Sequence, residues 1–320
     1  MEETLLQAIH ADPADATTWL VLADWLEENG QPERAEFLRL RELLREQPDV
    51  ERRAEREDRL QKLLLGGVEP VVAKWTVELA DDVALTFALV PAGSFLMGSP
   101  EDEKDRYQNE SPRHRVTISQ PFYLGVFPVT QRQWEALMDS NPSTFTEGTR
   151  PVESVAWPEC QEFCQRLSER VGRTCRLPYE AEWEYACRGG TTSSFYTGEG
   201  LAAMKRAGWC SYRGSSGSAR RTRPVGQYLP NPFGLYDLHG NVREWCQDDL
   251  RRYTRRPQVD PHGPLSGTYR VVRGGSWYYG AEDSRAACRY NRPIDYHLDY
   301  YGFRVLMPCP PASQPSSEPT

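Results

Sequence analysis

Residues 231–245 read NPFGLYDLHGNVREW. Pro232, Gly234 and Gly240 punctuate this stretch with turns, so it reads as ordered loop rather than as a helix or a long strand. Its Phe, Leu, Tyr and Trp side chains are anchors of the kind a loop-rich interior needs. Moving outward, similar texture recurs in VPAGSFLMGS (90–99), in GVFPVTQRQWEAL at the end of His114–Leu137, in Pro151–Trp157 with RLPYEAEWEYA (176–186), and in RGGSW (273–277) with GFRV (302–305). Between them, Val83–Val90 (VALTFALV) reads as a strand. Trp157, Cys160, Cys164 and Leu167 recur at helical intervals over Trp157–Val171, and Pro178–Arg188 is a second helical candidate. Short strands, a few helices and many turns predict an α+β domain with much irregular loop.

The region before this texture reads differently. Glu2–Ala11 places Leu5, Leu6 and Ile9 at helical spacing. Asp12-Pro13 is expected to cap and open a second helix, which carries Trp19, Leu22, Ala23 and Leu26 and stops at Asn29-Gly30. Gln31-Pro32 opens a third, with Phe37, Leu40 and Leu44 on one face. The charged run over 51–65 still reads as helix and ends at Gly66-Gly67. The expected organisation is a helical module over 1–66, the α+β domain over 67–308, and a Pro/Ser-rich, disordered tail over 309–320.

Composition bounds the function. The 320 residues carry 38 Lys and Arg against 46 Asp and Glu, a net charge of −8. Nucleic-acid binding needs a basic footprint, so it is not expected of the whole surface. Two clusters, Ser218–Arg223 and Arg251–Arg256, are the local exceptions. They read as solvated loops, or as sites for a polyanion or an acidic partner. No apolar run reaches membrane-spanning length. The acidic start, Met1-Glu2-Glu3, predicts no secretory leader, and the eight cysteines, with no C-x-x-C pair, are expected as reduced, buried thiols in a cytoplasmic protein.

Taken together and in this order, the loop segments resemble the formylglycine-generating enzyme (sulfatase-modifying factor) family over about residues 84–307. That resemblance implies an elaborated C-type lectin-like fold. The opening LVLADWLEENGQPERAEFLRL resembles a short bacterial repeat-companion domain covering about residues 1–45, which implies a small helical docking or packing module.

Fold does not settle function, because the family holds a copper oxidase, sulfoxide synthases and binding proteins without catalysis. The oxidase's two copper-binding thiols follow its GGS(W/Y) motif. Soft Cu(I) suits paired thiolates. The first position here is Tyr279 and the second falls at Asp283-Ser284-Arg285. The nearest thiol, Cys288, matches a structural part of the pattern. No copper is therefore expected. The synthases' H-x3-H-x-E pattern is also absent, since His10 is the only histidine before His114. Cys160 and Cys164, one helical turn apart, are expected in the core, and His239 and His262 in structural roles.

The resemblance further implies one calcium loop, with side-chain oxygens from Asp237 and Glu244 and backbone carbonyls from Gly240 and Val242. Calcium takes such hard oxygen ligands. A tight turn in which Glu244 pairs with a basic residue is the competing reading. The family's other calcium loop, near Trp209–Thr222, lacks the needed Asn and Asp and is expected to be lost.

The last segment is dense in tyrosine: six of the chain's 16 lie between Trp277 and Gly302. Tyr combines contact area with few rotors, and a core would not use so many Asp residues. The segment resembles variable proteins of diversity-generating retroelements, whose lectin-like domains present a C-terminal diversified surface. Tyr290–Tyr301, YNRPIDYHLDYY, contains no Glu, Lys, Gln, Met or Trp, as adenine-directed diversification requires. The resemblance implies a ligand-binding surface comprising Trp277, Tyr278, Tyr279, Asp283, Ser284, Tyr290, Asn291, Asp295, Tyr296, His297, Asp299 and Tyr300. The expected function is non-catalytic binding of a protein or other macromolecule, with the helical module joining a further partner. A divergent oxidase acting on a peptide cysteine and an undiversified structural or signalling adaptor are the alternatives.

Overall fold

A computed structural model describes residues 1–211 and 220–309. The expectations for the lost calcium loop, for part of the 218–223 cluster and for nearly all of the tail lie outside them. Four helices come first: α1 (Glu2–Ala11), α2 (Ala16–Glu28), α3 (Pro32–Glu46) and α4 (Arg53–Leu65). Their ends follow local chemistry. Pro32 occupies the first turn of α3, and Gly30 takes the left-handed conformation after α2. The expected cap at Asp12 is corrected to Asp15. The Asp12 amide closes α1 on the Ala8 carbonyl, while the Asp15 carboxylate accepts from the Thr17 amide at 2.8 Å.

Strands and short helices follow: β1 (Lys74–Ala80), β2 (Val83–Val90), β3 (Gly93–Met97), β4 (His114–Ile118), β5 (Phe122–Gly125), α5 (Gln131–Glu135), α6 (Trp157–Val171), α7 (Glu180–Arg188) and α8 (Gly200–Ala207). The last part holds β6 (Arg243–Trp245), β7 (Gln258–Val259), β8 (Tyr269–Arg273), β9 (Arg289–Pro293), β10 (Tyr301–Gly302) and β11 (Leu306–Pro308). They form three small sheets, ordered β1-β2-β5-β11, β10-β6-β8-β9 and β3-β4-β7. The fold is α+β with long irregular connections. The second sheet carries the site, because it sets the NVREW loop beside the RGGSW turn and the C-terminal segment.

The N-terminal helices pack onto this domain rather than standing apart. One apolar cluster joins Ile9, Trp19 and Leu22 to Phe87, Tyr123 and Phe303. A second joins Phe37, Leu44 and Leu60 to Val90, Phe95 and Tyr185. Polar contacts lock the seam. Arg41 and Arg45 are buried around Glu42 and donate onward to the carbonyls of Val71 and Ala92. Gly93 is required here, because a Cβ would fall 2.7 Å from the Arg45 carbonyl oxygen. The module's apolar stripes are thus used against its own chain, with Leu20 and Val21 left exposed. No described helix is long and apolar enough to cross a membrane.

Candidate binding surface around the C-terminal tyrosines

β8 ends at Arg273, whose guanidinium joins the buried carboxylate of Glu184. Gly274 and Gly275 then turn the chain through positive φ. A Cβ on Gly275 would lie 2.2 Å from the Ser284 hydroxyl, so only glycine lets these two segments meet. Trp277 follows as a buried anchor, its indole donating to the Asp299 carbonyl at 2.9 Å and its ring edge-on to Phe145.

On this anchor the tyrosines form a cluster. Tyr278 stacks on Tyr300 at 5.1 Å, and Tyr279 meets both edge-on at 5.2 and 5.5 Å. Tyr300 continues to Tyr301 at 4.9 Å, and Tyr301 to Tyr296 at 5.4 Å. Burial and a hydrogen bond with Tyr279 push the Tyr300 hydroxyl well above the ordinary tyrosine range. These rings hold one another in place.

A polar hub lies beside them. Asp283 is buried and accepts from the Tyr290 hydroxyl at 2.7 Å and from Arg243 at 3.4 Å. The Arg243 guanidinium sits 4.3 Å from the ring centres of both Tyr279 and Tyr290. Tyr107 reaches in edge-on to Tyr290 at 5.5 Å. Burial, with its hydrogen bonds to Tyr107 and to the Asp283 carboxylate, raises the Tyr290 hydroxyl far above its usual value, so it stays a donor.

The structure therefore divides the expected surface. Tyr278, Asp295 and His297 are exposed, and Tyr279, Tyr290, Asn291, Tyr296 and Asp299 are half-buried. Trp277, Asp283, Ser284 and Tyr300 are buried, which corrects the expectation that they are displayed. They act as anchors because each is held by a carbonyl, a guanidinium or a neighbouring ring. Sequence reading missed Arg243 and Tyr107. Arg243 was read only as part of the NVREW loop, and Tyr107 sits in a charged stretch with no periodicity to mark it.

The expected calcium donors do not fit a metal. Glu244 is buried and closes two 2.8 Å hydrogen bonds with Arg304, and the Trp183 indole donates to it at 2.7 Å. Both its oxygens are taken, as in the competing tight-turn reading. Asp237 accepts from the Gly226 amide at 2.7 Å and lies near the Asn241 amide at 3.4 Å. Burial raises its carboxyl to about 6. Gly240 and Val242 stand in the same loop, but the side-chain carboxylate that should complete the set belongs to Arg304. Among the described residues no group of three His, Cys, Asp or Glu side chains is arranged to hold a metal ion.

The thiols lie mostly in the interior. None of the eight cysteines forms a disulfide, and all but Cys309 are buried. Burial pushes Cys288 up to about 12. Cys187 lies 3.7 Å from His239, yet this is no nucleophile–base pair. Burial raises the thiol to about 12 and lowers the imidazole to about 4, so both partners are neutral. His239 Nδ1 donates to the Ser284 carbonyl at 2.7 Å and Nε2 accepts from the Tyr196 amide at 3.4 Å. It ties the NVREW loop to the copper-position segment. His262, exposed, stacks on Tyr179 at 5.2 Å.

Residues 80–308 match the family described as sulfatase-modifying factor enzyme 1-like domain. The chain belongs to that family. Within the sulfatase-modifying factor family it is similar to the formylglycine-generating enzyme of Streptomyces coelicolor, at 37% identity over 48% of this chain and 51% of that one. It is also similar to the serine/threonine-protein kinase pkn1 of Chlamydia pneumoniae, at 31% identity over 77% of this chain. The match covers 42% of that kinase, so this chain spans less than half of such a relative. Among solved structures, Treponema denticola variable protein 1 superposes with a TM-score of 0.65 and 29% identity, over 74% of this chain and 99% of that one.

Proposed function

We propose that this chain is a non-catalytic binding protein. Its contact surface is built from Tyr278, Tyr279, Tyr290, Asn291, Asp295, Tyr296 and His297, with Asp299 at the edge. The observation that carries this reading is what occupies the two thiol positions of the family's copper oxidase. Tyr279 stands at the first, enclosed among Tyr278, Tyr300 and Arg243. The second falls at Asp283-Ser284-Arg285, all three buried. Neither offers the soft sulfur that Cu(I) needs. Rings already held by other rings lose little freedom on binding, which favours contact with a protein or other macromolecule.

The likeness to a variable protein supports diversification of this surface, and eight cysteines without a disulfide support a reducing, cytoplasmic location. The test of diversification is the gene's 3′ end, sequenced across sibling isolates together with a search for a near-copy that differs at adenines. Variation confined to the codons of the exposed tyrosine segment is expected, and an invariant end without a template copy overturns it. The oxidase alternative rests on the Streptomyces relative. Incubating the protein with copper and a C-x-P-x-R peptide is expected to leave the cysteine unchanged by mass spectrometry. Formylglycine in the product would refute the non-catalytic reading. Loss of partner capture in Tyr278→Ala with His297→Ala is expected, whereas unchanged capture would favour an adaptor that uses another face.

A further inference from the structure

We infer that a pocket between the 108–111 segment and the Arg251–Tyr253 loop binds an oxyanion, the phosphate or carboxylate group of a small ligand. The cavity holds about 460 Å³ and is lined by Asn109, Ser111, Arg251, Arg252, Tyr253 and Arg289, with Gln108 and Leu250. Three of these are arginines, and no carboxylate lines it among the described residues.

The arginines are not equivalent. Arg289 is neutralised by Glu180, and its remaining nitrogen donates to the carbonyls of Asn109 and Arg251 at 3.1 and 3.2 Å. It holds the two walls together. Arg251 is positioned by neutral acceptors only: Gln258 Oε1 at 2.5 Å, His114 Nε2 at 3.0 Å and the Met97 sulfur at 3.1 Å. His114 can accept because its Nδ1 faces the Pro112 carbonyl at 3.0 Å, which places the proton on Nδ1. No acidic group within ion-pair distance offsets the Arg251 charge among the described residues, and the same holds for the exposed Arg252.

The Tyr253 ring forms part of the wall and fixes both guanidinia, lying under the guanidinium carbons of Arg289 at 4.0 Å and Arg251 at 4.8 Å. An oxyanion in this pocket would meet the positioned guanidinium of Arg251 and the exposed one of Arg252, charged donors suited to phosphate or carboxylate. The chain's net charge of −8 opposes an extended polyanion, so a single compact anionic group is the better occupant.

The test is calorimetric titration of the full chain with inorganic phosphate and, separately, with acetate, at constant ionic strength. Saturable binding of one of them is expected, and which one binds more tightly assigns the source. Arg251→Gln is expected to weaken binding about tenfold or more, the scale of a lost charge-assisted hydrogen bond. Arg252→Gln lies on the surface and tests the charge without risk to folding; about threefold weakening is expected. Absence of saturable binding by both anions, or unchanged affinity in Arg252→Gln together with Arg252→Glu, would overturn the inference.

Discussion

At the residue scale, burial decides what the acidic side chains of the NVREW loop do. Glu244 holds Arg304 in the interior, and removing one partner of a buried pair costs about 3–5 kcal/mol. Glu244→Ala should lower stability by that order in urea denaturation, with or without chelator. Calcium and chelator should leave the melting temperature of the parent chain unchanged; a saturable rise with calcium would restore the metal reading. Asp237 gives a pH test. Its carboxyl is raised by burial to about 6, against about 3.9 in an unfolded chain. The folded state therefore holds the proton more tightly. This contribution is complete below about pH 4 and is lost as pH rises through about 6, by about 3 kcal/mol. His239 runs the other way. Lowered by burial to about 4 against about 6.5 unfolded, it contributes fully above about pH 6.5 and loses that as pH falls through about 4. The two trends overlap, so the difference between variant and parent is the measure. Asp237→Asn keeps the left-handed backbone that Asn tolerates and cannot ionise. It should match the parent near pH 4 and melt higher at pH 7. A constant offset across that range would show that Asp237 does not titrate as its burial demands.

At the scale of elements, the helices were legible because their signals are local. Gly30 and Pro32 punctuate the chain by backbone chemistry alone, and α6 spans the residues its periodicity predicts. The misplaced cap at Asp12 arose because two helices compete for one linker, and the sequence does not say which amide closes α1. The docking of α3 was not legible at all. Arg41, Glu42 and Arg45 carry no apolar signal in the sequence, yet each is buried. Only the tertiary carbonyls of Val71 and Ala92 make that burial tolerable. The contrast with a surface pair is measurable. Glu42→Gln should cost about 3–5 kcal/mol, because it leaves the buried Arg41 guanidinium without a carboxylate and Arg45 with only the exposed Glu46. Glu36→Gln, which breaks the exposed pair between α3 and Arg59 of α4, should cost less than about 1 kcal/mol. Equal effects in chemical denaturation would mean that the α3 seam is wet.

At the scale of the whole molecule, the order of loop motifs disclosed the fold through their resemblance to a known family, while composition and turn spacing alone reached only α+β with much loop. The site was half legible. Tyrosine density marked the region, but which rings face solvent depends on contacts distant in sequence, such as Arg243 with Tyr279 and Trp277 with Phe145. The same distance effect governs stability. Both apolar clusters run from the N-terminal helices into the lectin-like domain, and His10 reaches Tyr123 at 2.6 Å across 113 positions. A separable helical appendage would have a cluster of its own and would melt first. Here Trp19 and Leu22 share a core with Phe87 and Phe303, so neither part keeps its interior without the other. Far-ultraviolet circular dichroism, dominated by the helices, and near-ultraviolet tryptophan signals should therefore trace one coincident denaturant transition. An earlier loss of helical signal, with the aromatic signal intact, would show that the first four helices unfold alone and that the tyrosine surface does not depend on them.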